Sequence, residues 1–242
     1  MIYVVGIGAG GHDGITPKAL NALISCDVVM GYATYIDLIR DLLPGRKFLC
    51  YSMRQERERC IDALKFSRDG SVVGLVSGGD PGVYGMAGLM LEVSAGSGEE
   101  VRIIAGITAA NACAAVLGAP LMNDYAAISL SDLMTSWDVI AERLKYACMG
   151  DFVICLYNPA SNHRPEHFRR ACEIMLRYRS PDTPAGYVRN AGRNRETCGI
   201  MTLGEIKECR VIDMSCTVIV GNSKSCILDG KIITPRGYEL KA

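Results

Sequence analysis

The 242 residues carry 26 Lys plus Arg against 26 Asp plus Glu, a formal charge of +0, with 49% hydrophobic and 21% charged side chains. The zero balance excludes the broad basic field of a nucleic-acid or anionic-membrane binder, and the composition excludes disorder, collagen and coiled coil. A chain of this length folds as one to two domains and buries a sizeable core.

MIYVVGIG opens the chain on a strand pattern with no basic leader-like run, and no apolar stretch nears the ~18 residues of a membrane span. The expectation is a cytoplasmic protein. Short apolar runs then alternate with helical patterns. They are a strand at 2–7, a helix at 16–25 opened by Thr16-Pro17, a strand at 27–31, helices at 32–43 and 54–68, and a strand at 71–79. A helix from 83, a strand at 101–106 and a small-residue helix at 108–117 follow. Repeated β-α of this kind predicts a mostly parallel sheet. The pattern breaks at GAPLMNDY (118–125), and a second series begins with AAISL, a helix at 136–147, DFVICLY, a helix at 165–179 and TPAGYVR. It ends strand-rich in ETCGIMTL and MSCTVIVG, with a short helix near 204–208. The organisation expected is two α/β domains, 1–120 and 121–242, the second with a mixed sheet and the active site in the cleft between them.

Gly6, Gly8 and Gly11 spell G-x-G-x-x-G after a strand, the pattern of a dinucleotide fold. The loop runs on through His12, Asp13 and Gly14 before its helix, and Asp27 is misplaced for a ribose ligand, so a loop lining another small-molecule site is expected instead. A second glycine loop, SGGDPGVYGM (77–86), lies between a buried strand and a helix, where parallel sheets place ligands. It brings the Asp80 carboxylate or, more plainly, an Asp N-cap. The eleven cysteines contain no C-x-x-C pair and most lie in apolar runs, which suits reduced, buried thiols in a reducing cytosol. His163 and His167 share a helical spacing, but their place at the solvated start of a helix argues against metal ligation.

Three segments, the G-x-G loop, GGDPGVYGMA (78–87) and GITAANA (106–112), resemble the tetrapyrrole (corrin/porphyrin) methyltransferase family. GYATYIDLI (31–39), MRQERER (53–59), APLMNDYAAISLSDLMTSW (119–137), DFVICLYNPAS (151–161), GNSKS (221–225) and ITPRGY (233–238) are similar to its branch acting on carbon 17 of precorrin-3B or cobalt-factor III. The resemblance covers essentially the whole chain. It implies an enzyme using S-adenosyl-L-methionine, a tetrapyrrole acceptor, methylation with ring contraction, and a homodimer without nucleic-acid or membrane partners. Gly79, Asp80, Val83, Tyr84, Thr108 and Ala109, with Tyr157, Asn158, Ala191 and Thr217, would hold the donor. Gly8, Arg54, Ser129 and Arg193 would meet the acceptor, and Ser131, Asp132 and Asn123 would serve catalysis. Ala9 and Ala105 stand where relatives often carry Pro, and Asn123 where they often carry His, a change that matters if that His moves a proton.

An acceptor rich in carboxylates needs cations placed locally, and Arg54, Arg57, Arg59, Arg164, Arg189, Arg193 and Arg195 are the candidates, two or three of which are expected to serve. The rivals are an enzyme of the same fold acting at another ring position or on a modified histidine, and a non-catalytic binder of donor or tetrapyrrole.

Overall fold

The computed structural model describes residues 1–161 and 163–238. The chain forms two compact units, Met1–Ala109 with Gly192–Asn194, and Ala110–Ala191 with Arg195–Ala242.

In the first unit β1 (Ile2–Gly6), β2 (Val28–Tyr32), β3 (Lys47–Tyr51), β4 (Val73–Ser77) and β5 (Val101–Ile104) form an all-parallel sheet in the order β3-β2-β4-β1-β5. Alternate residues face opposite helical layers. Val4, Met30 and Leu75 pack with α3 (Glu56–Arg68) and α4 (Ala87–Ser94), whereas Val5, Val29 and Val76 pack with α1 (Pro17–Ile24) and α2 (Ala33–Asp37). Two covered faces explain why these strands read as unbroken apolar runs. β1 and β4 are neighbours whose connections leave toward opposite sides of the sheet, the arrangement that leaves a binding crevice beyond the strands' carboxyl ends.

Local chemistry sets several boundaries. Thr16 Oγ1 accepts from the Ala19 amide at 3.1 Å with Pro17 in the first turn, so α1 starts where expected. The helix expected over 32–43 stops at Asp37 and gives way to a 3₁₀ turn, Arg40–Leu42. β3 then adds an edge strand that the hydropathy pattern does not reveal. The helix expected from 83 starts at Ala87, because 80–85 is consumed by turns in which Tyr84 takes a left-handed φ of 53° and Ala87 N donates to Pro81 O.

The second unit begins with α5 (Ala109–Leu117), whose first residue belongs to the first unit, and β6 (Gly118–Ala119). Its main sheet joins β7 (Tyr125–Ser129), β8 (Val153–Tyr157), β9 (Pro184–Arg189), β10 (Thr197–Thr202) and β11 (Cys216–Val220) in the order β10-β9-β11-β8-β7. Only β7 and β8 run parallel; the other pairs are antiparallel. One face packs on α6 (Trp137–Met149), α7 (His167–Met175) and the short α8 (Leu203–Ile206), and the other on α5. β12 (Cys226–Leu228) and β13 (Lys231–Ile233) join β6 in a small sheet too short to read from periodicity. Most cysteines sit inside these cores as free thiols, and burial pushes Cys26 and Cys155 up to about 12.

Candidate active site

Three loops meet at the carboxyl ends of β1, β4 and β5, and they meet through main chain. Gly8 and Gly79 exchange both backbone hydrogen bonds, at 3.2 and 2.7 Å. A Cβ on Gly106 would lie 2.2 Å from Gly79 O and 2.8 Å from Gly6 C, so no side chain fits there. Gly79 itself takes φ +66°, and a Cβ there would meet only ordinary contacts at 3.8 Å or more, with Thr108 Cα, Ala109 N and Ile107 O. The structure thus brings Gly79, Asp80, Thr108 and Ala109 together. Asp80 is spent internally: Oδ1 accepts from Gly82 N at 2.8 Å and Oδ2 from Gly106 N at 3.1 Å. Its carboxylate braces one loop against the next, which is a different task from reaching a ligand. Val83 is half-buried and Tyr84 exposed on the same loop.

The G-x-G-x-x-G loop behaves as the spacing suggested, continuing through a 3₁₀ turn, His12–Gly14, before α1. Gly11 N donates to Gly192 O at 2.5 Å, and Arg193 Nε donates to Ala9 O at 3.0 Å while its guanidinium lies over the Tyr35 ring. Arg193 is therefore tied to the glycine loop that also carries Gly8. Arg54 lies elsewhere, exposed in the loop between β3 and α3 with φ 68°.

In the second unit Ser129, Tyr157, Asn158, Ala191 and Thr217 gather at one end of the main sheet. Ser129 pairs with Tyr157 in register, and Thr217 pairs with Val188. Tyr157 Oη accepts from the Ala110 amide at 3.0 Å at the start of α5. Asn158, left-handed with φ 50°, donates from Nδ2 to Ser129 Oγ at 2.9 Å, and the Ser131 amide donates to the same oxygen at 3.2 Å. Thr217 is buried and hydrogen-bonded with the Cys113 thiol, whose burial still pushes it up to about 11.

Asp132 follows this cluster, with Oδ2 3.0 Å from His167 Nε2. Partial burial acts to raise the Asp132 carboxyl. The hydrogen bond from His167, a backbone bond and the charges of His167 and Arg164 outweigh it and hold the group below the ordinary carboxylate range. His167 is buried and stands edge-on to Trp137, whose ring in turn carries the Arg170 guanidinium at 4.2 Å. His163 stays exposed, so the histidine pair resolves into one solvated residue and one that grips an acid. Asn123 is not part of this group. It precedes β7 while Asp132 follows it, a separation of about 16 Å along a five-residue strand. There its Nδ2 donates to Pro235 O at 3.1 Å.

The candidate arginines divide. Arg164 is buried, with Nη1 donating to Leu130 O and Asn158 O at 2.8 Å each, and Arg189 pairs with Asp213 at 2.8 Å. Both brace this unit's own loops, contrary to the carboxylate-binding role open to them in the sequence. The sequence reasoning also missed the partner of His167, since Asp132 lies 35 residues away and spacing carries no sign of it.

The family model of the Tetrapyrrole (Corrin/Porphyrin) Methylases matches residues 1–207. The probable cobalt-factor III C(17)-methyltransferase of Salmonella typhimurium is 44% identical over 242 residues, covering 99% of this chain and 100% of its own length. The cobalamin biosynthesis protein CbiHC of Archaeoglobus fulgidus is also 44% identical over 99% of this chain, which spans 53% of that longer protein. Among solved structures, the methyltransferase CobJ matches with a TM-score of 0.90 and 33% identity, over 97% of this chain and 99% of its own. With a family match over most of the chain and full-length relatives well above 30% identity, this chain belongs to the tetrapyrrole (corrin/porphyrin) methylases.

Proposed function

We propose that the chain methylates carbon 17 of a tetrapyrrole of cobalamin biosynthesis, with contraction of the ring, and that the acceptor is the cobalt-bearing form, cobalt-factor III. The observation that carries this reading is the 44% identity with the Salmonella typhimurium protein over 99% of this chain and 100% of that one. S-adenosyl-L-methionine supplies an activated methyl on a sulfonium, so the reaction asks the protein for alignment and dryness more than for a strong base.

The residues fit such a donor. Of Gly79, Asp80, Val83, Tyr84, Thr108 and Ala109, Asp80 serves the donor by bracing its loop against Gly106, through the bonds its two oxygens accept from Gly82 N and Gly106 N. The open side of Gly79 leaves main chain bare where an amino-acid or ribose group can approach. Tyr157, Asn158, Ala191 and Thr217 complete the donor set in the second unit. Gly8, Arg54, Ser129 and Arg193 serve the acceptor. Asp132 is the proton-handling group of the site, with His167 fixing its carboxylate and Ser131 shaping the turn beside it. Asn123 acts as a positioning residue for the segment containing Pro235.

The test is anaerobic incubation with methyl-labelled donor and, separately, cobalt-factor III and precorrin-3B, followed by product mass and NMR assignment of the new methyl. A labelled methyl at carbon 17 of the cobalt product supports the reading. Turnover with the metal-free acceptor alone corrects the substrate. Methylation at another ring position overturns the assignment. Donor binding without turnover on either acceptor makes the chain a binder.

A further inference from the structure

Three arginines are buried among the described residues: Arg59, Arg164 and Arg179. Two have strong acceptors. Arg164 holds two carbonyls at 2.8 Å, and Arg179 donates from both Nη atoms to Gly221 O and Phe152 O in close contacts, although its Nε, like that of Arg59, has no partner among the described residues. Arg59, 3% exposed, has nothing comparable. Its Nη1 reaches only the Met86 thioether at 3.8 Å, its Nη2 reaches Ser52 O at 3.5 Å, and its Nε has no partner among the described residues. The Tyr51 ring lies 5.7 Å away, at the outer limit of a cation–π contact.

The acids nearby are engaged elsewhere. Asp62 accepts the Tyr51 hydroxyl at 2.8 Å, and Glu56 accepts the Arg54 amide at 3.2 Å. A guanidinium stays charged at any working pH, so this site keeps a buried cation for which the described residues supply no strong acceptor. A methionine or leucine would fill the volume without that cost. The cation also sits on the carboxyl-end rim of the first sheet. Tyr51 ends β3, Met86 closes the glycine loop after β4, and the exposed residues 52–55 form the cover. That cover is held by its own polar contacts, Gln55 Oε1 to the Ser52 amide at 2.8 Å among them.

We propose that Arg59 is a carboxylate receptor for the acceptor, its guanidinium taking an acetate- or propionate-type side chain when residues 52–55 lift away and Ser52 O gives up its weak bond. The inference rests on the tetrapyrrole reading above. The planar fork, with Nε and Nη2 lacking strong acceptors, matches a carboxylate bidentately, whereas a lysine would offer a single point charge.

The experiment measures binding of a free-acid porphyrin bearing acetate and propionate groups, by fluorescence quenching, to the wild type, Arg59→Met and Arg59→Lys. Melting is followed with and without S-adenosylhomocysteine. Expected are porphyrin binding weakened tenfold or more in R59M and less in R59K, a melting temperature of R59M at or above wild type, and an unchanged shift from the donor product. Amides 52–55 of the wild type change hydrogen-exchange protection when porphyrin is added and do not in R59M. Porphyrin binding of R59M at wild-type affinity overturns the proposal alone. A lower melting temperature with a lost donor-product shift makes Arg59 structural and also overturns it. Failure of the wild type to bind the porphyrin while it binds the donor product overturns the tetrapyrrole reading and this inference with it. Inorganic phosphate competing as well as the porphyrin marks a general anion site and overturns the assignment to a carboxylate.

Discussion

The two units build their candidate site residues into the fold by opposite means. In the first, an all-parallel sheet sends three loops out at the ends of β1, β4 and β5, and these meet as bare main chain, with Gly6, Gly79 and Gly106 too close for a Cβ on Gly6 or Gly106. In the second, a mixed sheet ends in side chains that hold one another: Tyr157 on the Ala110 amide, Asn158 on Ser129, Arg164 on two carbonyls, His167 on Asp132. A surface of main chain fails when atoms are added, and one of side chains fails when atoms are removed. Substitutions can test that division directly.

The largest effect is expected from addition. Gly106→Ala places its methyl against the backbone of Gly79 and Gly6, which cannot rotate away, and should destabilise the protein by about 3 kcal/mol, read by urea unfolding. Donor binding by calorimetry should fall with it. Gly88→Ala is the control, since nothing lies within 4 Å of a Cβ there and the residue is helical; it should be neutral or stabilising by about 0.5–1 kcal/mol. Equal stability of the two variants would break the comparison.

Next comes removal of a charge. Asp132→Asn keeps the shape and loses the carboxylate, and kcat should drop about a hundredfold with KM little changed. The wild-type acid limb should lie below the ordinary carboxylate value of about 4, because the folded group is held down. The stability this lowered group contributes is present above that value and disappears as pH falls through the folded one. In the Asn variant that part of the acid dependence vanishes. His167→Gln should move the acid limb upward while leaving protein concentration, secondary structure and donor binding as they were.

Tyr157→Phe should cost about 1–2 kcal/mol, since it leaves the partly buried Ala110 amide without its acceptor at the first turn of α5. An unfolding midpoint shift at constant m-value is the signature. A null result would mean that water replaces the phenol, and the second unit's network would then be looser than its geometry implies.

Much of this frame was legible in the sequence because it rests on local chemistry. Thr16-Pro17 marked the start of α1, and the run His12-Asp13-Gly14 told against a dinucleotide loop; both depend on neighbours in the chain. The apolar runs of β1, β2 and β4, alternating with helical patterns, announced a mostly parallel sheet. β3 was hidden because an edge strand exposes Lys47 and Cys50 and so loses the apolar signal, and the short strands β6, β12 and β13 offer no period at all. At the site, the glycines were readable as glycines, but the task of Asp80 was not. Its two amide donors lie two and 26 residues away, and only the fold reveals that both oxygens are taken. Arg164 and Arg59 looked alike as candidate carboxylate-binding cations, and their different hydrogen-bond satisfaction in the fold separates them.

The smallest effect sharpens the comparison most finely, because it concerns a side chain that the sequence had tied to proton transfer. Asn123 sits at the far end of β7 from Asp132 and donates to Pro235 O at 3.1 Å, a bond that an imidazole N–H can also make. Asn123→Ala should therefore cost only about 0.5–1 kcal/mol, read by unfolding, as expected for one half-exposed neutral hydrogen bond. Asn123→His should restore that stability and leave the pH–rate profile without a new limb near 6–7, the range in which an unperturbed imidazole titrates. A new limb there, with faster turnover, would place Asn123 among the reacting groups and make its end of β7 part of the chemistry.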